Sequence, residues 1–399
     1  MPIDDILPDS VTETTTVGLG QNLLGSLFGA LFGLLLLAGS CWGLFWNEGR
    51  SVTSARSLAE GAKQVTHSEA DRVLPDNEGK LIHVNGQLKT TAPLVDSEFG
   101  VSTKGAVLVR HVEMFQWKEE KETHTNKNYG GSQERTTTYT YVKEWSDKRH
   151  DSSRFKQSGR NNPQMRYRDV TLVAKDGALG AFRPSDSVLR RLATPETMPV
   201  DRAMQDALRQ RVGLQVHVVD GQIYLGSDPA NPAIGDIRIT YRLANPDNVS
   251  IVGRQTGSDF TPFQTKAGDT LLFVKAGTID AAAIFNQAQQ ENRILTWVIR
   301  AVGLFVMAFG FMLLMGPLIA LADIIPPLGA VLGFGAAAMA LLATALVGPL
   351  VIAVAWFWYR PLVSIAVIAV GLAVAFMTGK FAPRRKPAPA PLPKGSVPA

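Results

Sequence analysis

Four long apolar segments stand out along the chain, one near its beginning and three near its end. The first covers about residues 22–46, and the others cover about 294–317, 329–358 and 362–378. A helix needs about 20 apolar residues to cross a hydrocarbon core of ~30 Å. The pattern therefore predicts a membrane protein with four transmembrane helices, in which a long polar segment separates the first helix from the second.

Short apolar and polar alternations fill this polar segment, residues 47–293, and predict strands rather than long helices. Strands are predicted near 107–117, 136–145, 170–174, 212–219, 223–226, 237–244, 249–255 and 270–277. Turns are predicted at Asn85-Gly86 and Asp220-Gly221, because these dipeptides favour tight hairpins. We expect an α+β domain, mainly antiparallel β and small-barrel-like, inserted between helices 1 and 2.

The remaining parts of this domain are predicted from composition. Residues 118–135 are densely charged around Gly130-Gly131 and predict a loop. Short helices are predicted near 186–193 and 200–211. Residues 278–293 predict a helix that continues directly into the second membrane span.

Both termini predict disorder, and their charges indicate a topology. Residues 1–21 are acidic and polar, whereas residues 379–399 are basic and rich in proline. Basic residues next to a span favour the cytoplasmic side. Four spans then place both termini in the cytoplasm and the large domain in the periplasm or lumen. The first apolar segment is too long, and its flank too acidic, for a cleaved signal peptide, so we expect an uncleaved anchor.

Composition narrows the function classes further. Most of the 40 basic and 35 acidic residues lie in the middle segment, which is therefore mixed in charge and does not indicate nucleic-acid binding. The single cysteine, Cys41, lies inside the first span and excludes a disulfide framework. The six histidines lack metal-binding spacing. We expect no cofactor and no metal.

Candidate helix-packing residues lie in the first span, at Gly25, Gly29 and Gly33. This tandem Gly-x-x-x-Gly spacing favours close contact between helix backbones in lipid. The partner is either another span of this chain or another copy.

Two further candidates carry charge. Arg300 lies inside the second span, where we expect it to snorkel to the interface; the alternative is a pair with a neighbouring group. His111 and Glu113 share one strand face, and we expect pairing within a sheet in preference to an acid–base pair. Few ionisable groups lie in the spans, which counts against secondary transport.

A set of short motifs resembles the transmembrane protein 43 (LUMA) family over about residues 22–379. The motif residues are Asn47, Glu48, Gly49, Arg50, Arg110, His111, Glu113, Trp117, Gly268, Asp269, Arg300, Tyr359, Arg360 and Pro361. The resemblance implies four spans, cytoplasmic termini and a large extracytoplasmic domain. It also implies a membrane organiser that self-associates and contacts other membrane proteins. Eukaryotic members reside in the endoplasmic reticulum and inner nuclear membrane, whereas the Ala- and Pro-rich ends here indicate a bacterial inner-membrane member.

Three functions stay open at this point. The first is a non-enzymatic membrane scaffold that forms a homo-oligomer in the lipid bilayer. The second is a pore-forming channel or a channel regulator. The third is a cell-envelope enzyme with His111 and Glu113 in a cleft.

Overall fold

A computed structural model describes residues 10–362 except 195 and 214, together with 364–366 and 369. Its helices are α1 (Leu19–Gln64), α2 (Asp186–Leu189), α3 (Gln205–Val212), α4 (Ala281–Leu314), α5 (Gly316–Ala322) and α6 (Pro326–Tyr359). Among the described residues, three helices are long and apolar enough to cross a membrane: α1, α4 and α6. The predicted fourth span, 362–378, falls largely outside the described residues.

Two of these helices continue from the apolar segments into the polar domain. Helix α1 carries on beyond the first span to Gln64, and α4 begins at Ala281 and runs unbroken through the second span. The predicted helix at 278–293 and its continuity with the second span are therefore confirmed. At ~1.5 Å per residue, α1 is about 69 Å long, which exceeds a bilayer core.

Helices α1 and α4 pack antiparallel, and glycines let their backbones approach. A Cβ atom at Gly33 would lie 2.7 Å from the Gly310 carbonyl oxygen and 3.0 Å from Leu313 Cβ. At Gly29 the nearest atom, on Leu313, would be 3.9 Å away, and at Gly25 nothing lies within 4 Å. Of the three candidate glycines, Gly33 thus packs tightly against a helix of the same chain.

The polar domain is built from strands in two main sheets. The strands are β1 (Ser10–Val17), β2 (Thr66–His67), β3 (Leu81–Lys89), β4 (Leu94–Asp96), β5 (Val101–Thr103), β6 (Val107–Lys127), β7 (Gln133–Ser146), β8 (Val170–Val173), β9 (Ala178–Leu179), β10 (Glu196–Met198), β11 (Val216–Val219), β12 (Gln222–Leu225), β13 (Ile237–Ala244), β14 (Asn248–Thr256), β15 (Asp259–Thr261), β16 (Phe263–Gln264), β17 (Thr270–Leu271) and β18 (Phe273–Ala276). One sheet has the order β1-β7-β6-β13-β12-β11, with β8 on β6 and β10 on β13. The other has the order β15-β14-β3-β2, with β18 on β14 and β9 on β3. The mainly antiparallel β architecture is confirmed.

Alternating apolar residues of both sheets form one core, which includes Ile82, Val84, Leu108, Ile239 and Ile251. A second, smaller cluster joins the domain to the membrane helices. It contains Leu58 of α1, Ile284 and Phe285 of α4, and Val252 and Leu271 of the sheets. Burial of apolar side chains therefore fixes the domain on the extended parts of α1 and α4.

One predicted turn is confirmed and the other is wrong. Asp220 and Gly221 have φ values of 51° and 73° and connect β11 to β12 as a hairpin. Asn85 and Gly86 instead lie within β3, paired with Ser250 and Val249 of β14. A Cβ atom at Gly86 would lie 3.0 Å from Ala70 Cβ, so the glycine serves close packing there.

The charged segment 118–135 is mostly strand, which corrects the predicted loop. β6 runs to Lys127, β7 starts at Gln133, and the two pair through Lys127↔Gln133, so only residues 128–132 form the turn. Residues 10–17 are likewise not disordered, because β1 pairs with β7 from Ser10↔Thr140 to Val17↔Gln133. We call these three strands, 10–17, 119–127 and 133–141, the polar ribbon.

The tip of the polar ribbon lies at the end of the helix bundle where α1 begins. Asn22 Nδ2 donates to the Gly131 carbonyl oxygen at 3.0 Å, and Gly130 N donates to the Ile324 carbonyl oxygen at 3.0 Å. Lys127 Nζ lies 2.7 Å from Oδ1 of Asp323, whose side chain is buried. The ribbon thus reaches the opposite end of the bundle from the cluster around Leu58.

The glycine contact gives a test of bundle packing. Replacing Gly33 with Ile should push α1 and α4 apart, and overpacking of this kind costs about 1–3 kcal/mol. The midpoint of thermal unfolding in detergent should fall. The matched control is Gly25→Ile in the same helix, where the side chain enters open space; an equal fall in both variants would contradict the contact.

Candidate functional site

Three separate parts of the chain meet where the membrane helices enter the polar domain. They are residues 47–50 of α1, residues 292–300 of α4 and residues 356–360 at the end of α6. Most of the motif residues at the two ends of the chain lie here. We call this cluster the junction; it comprises Asn47, Glu48, Gly49, Arg50, Asn292, Thr296, Arg300, Trp356 and Tyr359.

A buried ion pair lies at the centre of the junction. Arg300 Nε is 2.6 Å from Glu48 Oε1, and Arg300 Nη2 is 2.8 Å from Glu48 Oε2. The Glu48 side chain is fully buried and that of Arg300 is 12% exposed. Trp356 Nε1 donates a third hydrogen bond, to Glu48 Oε2 at 2.8 Å. Our expectation that Arg300 snorkels to the interface is therefore wrong. Its planar guanidinium instead donates to both oxygens of the Glu48 carboxylate at once, and this stabilises the charge at a depth where water could not.

Aromatic rings cover the guanidinium of Arg300. Its Cζ atom lies 4.7 Å from the centroid of the Trp297 ring and 5.9 Å from that of Trp356. Ring faces attract cations, and the attraction grows where water is excluded. The pair is thus enclosed by groups that stabilise both of its charges.

A second arginine, Arg50, connects α1 to α4 through hydrogen bonds close to this ion pair. Arg50 Nη1 donates to Asn292 Oδ1 at 3.0 Å, and its Nη2 donates to Thr296 Oγ1 at 3.0 Å and Asn47 Oδ1 at 3.2 Å. Asn47 Nδ2 in turn donates to the Thr296 carbonyl oxygen at 3.1 Å. The three polar side chains of the Asn47–Arg50 motif therefore all face α4.

Gly49 supplies the contact between α1 and the end of α6. A Cβ atom at Gly49 would lie 2.6 Å from Cζ of the Tyr359 ring, so only glycine fits there without a shift. Arg56 Nη2 donates to the Tyr359 carbonyl oxygen at 2.9 Å. Arg360 and Pro361 follow directly and line an open groove of about 470 Å³ against α1.

The Gly268-Asp269 motif fastens the polar domain to the next two turns of α1. Ser54 Oγ donates to Asp269 Oδ2 at 2.6 Å, and the Glu60 carboxylate accepts from the backbone N–H groups of Lys266 and Ala267. Gly268 has a φ of 123°, which favours glycine at this tight turn. Together with the junction, these hydrogen bonds attach the extended part of α1 to the polar domain.

Arg110, another motif residue, lies in a separate buried cluster inside the domain. Its Nη1 is 3.0 and 2.9 Å from the two carboxylate oxygens of Asp96, and its Nη2 is 2.6 Å from Glu98. Tyr241 Oη also donates to Asp96, at 2.7 Å. Burial, together with this carboxylate, raises the pKa of Tyr241. The tyrosine is therefore held as a hydrogen-bond donor, in a structural role.

His111 and Glu113 do not form an acid–base pair. His111 Nδ1 lies 3.0 Å from Asp169 Oδ2, whereas Glu113 Oε2 lies 2.7 Å from Arg238 Nη2. Trp117 is buried, and two cations lie near its ring. The Arg160 guanidinium is 4.2 Å from the ring centroid, and Lys143 Nζ is 4.6 Å from it. These residues stabilise pairing within the sheet, as we expected for His111 and Glu113.

The histidines nearest each other join the domain to the start of α4. The Nδ1 atoms of His67 and His83 are 3.4 Å apart, and His83 Nε2 donates to the Ile279 carbonyl oxygen at 2.9 Å. Burial lowers the pKa of His83, which favours the neutral form of its ring. Within the part of the chain that the structure describes, no three His, Cys, Asp or Glu side chains come close enough to hold a metal ion.

Sequence reasoning found most of the junction residues but not the contacts between them. Glu48 and Arg300 are 252 residues apart, and no local pattern connects them. Trp356, Asn292 and Thr296 were not among the candidate residues. The ion pair of Asp323 with Lys127 was missed because Lys127 was placed in a loop; an isolated acidic residue between two spans was the available signal.

The buried pair gives a prediction about stability. Removing one partner, by Glu48→Leu or Arg300→Leu, leaves an uncompensated buried charge and should cost about 3–5 kcal/mol. The double variant should recover much of this loss because both charges are gone. The measurement is a double-mutant cycle on unfolding in detergent; losses that add without recovery would contradict the pair.

Comparisons with known proteins identify the family. The model of the family described as Transmembrane protein 43 matches residues 114–361. The mouse protein named Transmembrane protein 43 is 30% identical over 88% of this chain and 90% of its own length. The human protein of that name is 29% identical over 94% and 96%, and the Drosophila melanogaster homolog is 29% identical over 70% and 75%. No solved structure matches the chain. The chain is an integral membrane protein and belongs to the transmembrane protein 43 family.

Proposed function

We propose that this protein is a non-enzymatic membrane scaffold that assembles from several copies through its membrane helices and its polar domain. One observation carries the proposal: the domain is attached to the helix bundle at two distant levels. The junction and the Leu58 cluster hold it at one end, and the tip of the polar ribbon holds it at the other. A domain attached in this way keeps a fixed orientation relative to the bilayer, which suits a protein that organises others by shape.

The chemistry of the described residues supports a structural role. The strongest candidates for catalysis, His111 and Glu113, pair with separate sheet neighbours. Two ion pairs with buried carboxylates, Glu48 with Arg300 and Asp96 with Arg110, neutralise their own charges. A nucleophile or general base must remain free to react. Each of these four charged groups is instead bound to its partner in an ion pair.

We place the protein in a bacterial inner membrane, or in the endoplasmic reticulum or inner nuclear membrane of a eukaryote. The basic residues of 379–399 support a cytoplasmic C-terminus. The polar domain then lies on the periplasmic or lumenal side. Its partners are lipid, other copies and, at its mixed-charge surface, other membrane proteins.

Assembly is the testable part of the proposal. The protein in mild detergent or nanodiscs should have the mass of several chains by mass photometry, and the complex should persist on dilution. The Gly25→Ile variant tests whether this face of α1 contributes to assembly, because a side chain at position 25 would contact no other described part of the same chain. A mass of one chain at every concentration would overturn the proposal.

A pore-forming function is the second candidate, and the polar ribbon favours it. The ribbon side turned away from the bundle carries Glu120, Glu122 and Glu134, which are acidic, and His124. Carboxylates along a water-filled path select for cations.

Ion flux separates the two candidates. Liposomes that contain the assembled protein should pass K⁺ in preference to Cl⁻, and Glu122→Gln should lower the K⁺ to Cl⁻ permeability ratio several-fold. Glu69→Gln removes an exposed carboxylate outside the ribbon and should leave the ratio unchanged. Intact oligomers that pass no ions would contradict the pore and leave the scaffold as the remaining function.

A further inference from the structure

Within the part of the chain that the structure describes, the polar ribbon has two edges without a partner strand. β1 is the last strand of its sheet, so among the described strands only β7 pairs with it. On the other side, β13 pairs with β6 only from Val107 to Met114. Asn162 then contacts both backbone groups of Trp117. Beyond this point, residues 119–127 of β6 have β7 on one side and no described strand on the other.

These edges lie at the depth of the bilayer. The ribbon starts in the domain, which packs on α1 beyond Asn47, and its tip touches Asn22. Along α1 these two residues are about 37 Å apart, at ~1.5 Å per residue. The eight residues of β1 span about 26 Å, at ~3.3 Å per residue. Both lengths are close to a hydrocarbon core of ~30 Å.

One face of the ribbon is wholly polar. The cross-strand rows on the side opposite Asp323 are Ser10/Thr140/Glu120, Thr12/Thr138/Glu122, Thr14/Thr136/His124 and Thr16/Glu134/Asn126. The other face carries Lys127 and Gln133, which contact Asp323. It combines Val11, Val17 and Tyr139 with charged residues, which include Glu13, Lys121 and Arg135. A membrane strand that faces lipid presents apolar side chains there. The polar face therefore faces water, and the helices of the same chain lie on the opposite side.

Free backbone edges at this depth need partners. Unpaired N–H and C=O groups are strongly unfavourable in hydrocarbon, and closed sheets are the β-structures that span membranes. Both edges belong to one ribbon, are of similar length and lie on its opposite sides. This is the geometry of a head-to-tail interface, which forms a ring when the rotation between neighbouring copies closes.

Charge distinguishes among the possible edge pairs. On the polar face β1 carries only Ser and Thr, and its one carboxylate, Glu13, lies on the other face and pairs with Lys156. The β6 edge carries Glu120 and Glu122, so two β6 edges would bring like charges together, which is unfavourable across strands. A neutral β1 edge next to a β6 edge avoids this.

We propose that β1 of one copy pairs in parallel with residues 119–127 of β6 in the neighbouring copy, so that the ribbons close into a barrel with a water-filled interior inside a ring of helices. The pairing is parallel because β1 and β6 are both antiparallel to β7, and rotation about an axis normal to the membrane keeps their direction. The inference rests on the proposed self-assembly and names its interface.

Cysteine crosslinking tests this interface in the full-length protein. Cys41 is first replaced with Ser. Thr14→Cys is then combined with Glu120→Cys, Glu122→Cys, His124→Cys or Asn126→Cys, which sample the register on one face. A disulfide needs Cα atoms about 4.4–6.8 Å apart. Within one chain β7 separates the two edges, so their Cα atoms are about 9.6 Å apart.

In at least one register, mild oxidation should give a ladder of covalent multimers on denaturing gels. A mixture of chains that carry only one cysteine each should stop at the dimer. The matched control is Thr12→Cys with Thr138→Cys, which are cross-strand partners in one chain and should give an internal disulfide without multimers.

The failures are distinguishable. Multimers of unchanged mass with no crosslink in any register would overturn the edge pairing and leave the scaffold proposal standing. Strong dimers from Thr14→Cys alone would overturn the head-to-tail arrangement, because they show β1 against β1. A monomeric mass before oxidation would overturn both proposals.

Discussion

The ion pair between Glu48 and Arg300 is the contact on which the arrangement of this protein depends. Each charge would be strongly unfavourable alone at this depth, and together they require α1 and α4 to meet in one register. Trp356 donates to the same carboxylate, so the end of α6 is fixed by the same group. A single carboxylate thus positions three helices, and the domain follows because two of those helices continue into it.

This continuity explains how the polar domain can be large and yet held firmly. Helices α1 and α4 extend beyond the bilayer and share the cluster of Leu58, Ile284 and Phe285 with the sheets. Above the junction, Ser54 and Glu60 bind the turn that contains Asp269. Apolar burial supplies adhesion here, and the hydrogen bonds supply orientation, because they are directional and apolar contacts are not.

Sequence patterns predicted the elements with strong periodicity and failed where both faces of an element are polar. The long apolar runs located α1, α4 and α6, and alternation located the core strands such as β13 and β14. The segment 118–127 consists only of charged and polar residues, so it carries no apolar signal that could distinguish a strand from a loop. Arg300 was misjudged for a different reason: burial of its partner is a tertiary property that single-sequence reasoning does not reveal.

The lack of apolar residues that hid these strands in the sequence also determines how the polar ribbon is stabilised. A strand with two polar faces gains little from burial, so hydrogen bonding along its edges must account for its order. Among the described strands, β7 has such partners on both sides, whereas β1 and residues 119–127 of β6 each have one. Threonine ladders such as Thr12 with Thr138 and Thr14 with Thr136 add cross-strand contacts. They do not satisfy the outer backbone groups. Since the tip contacts at Asn22 and Asp323 fix the ribbon beside the membrane helices, the remaining hydrogen bonds are best supplied by another ribbon at the same depth.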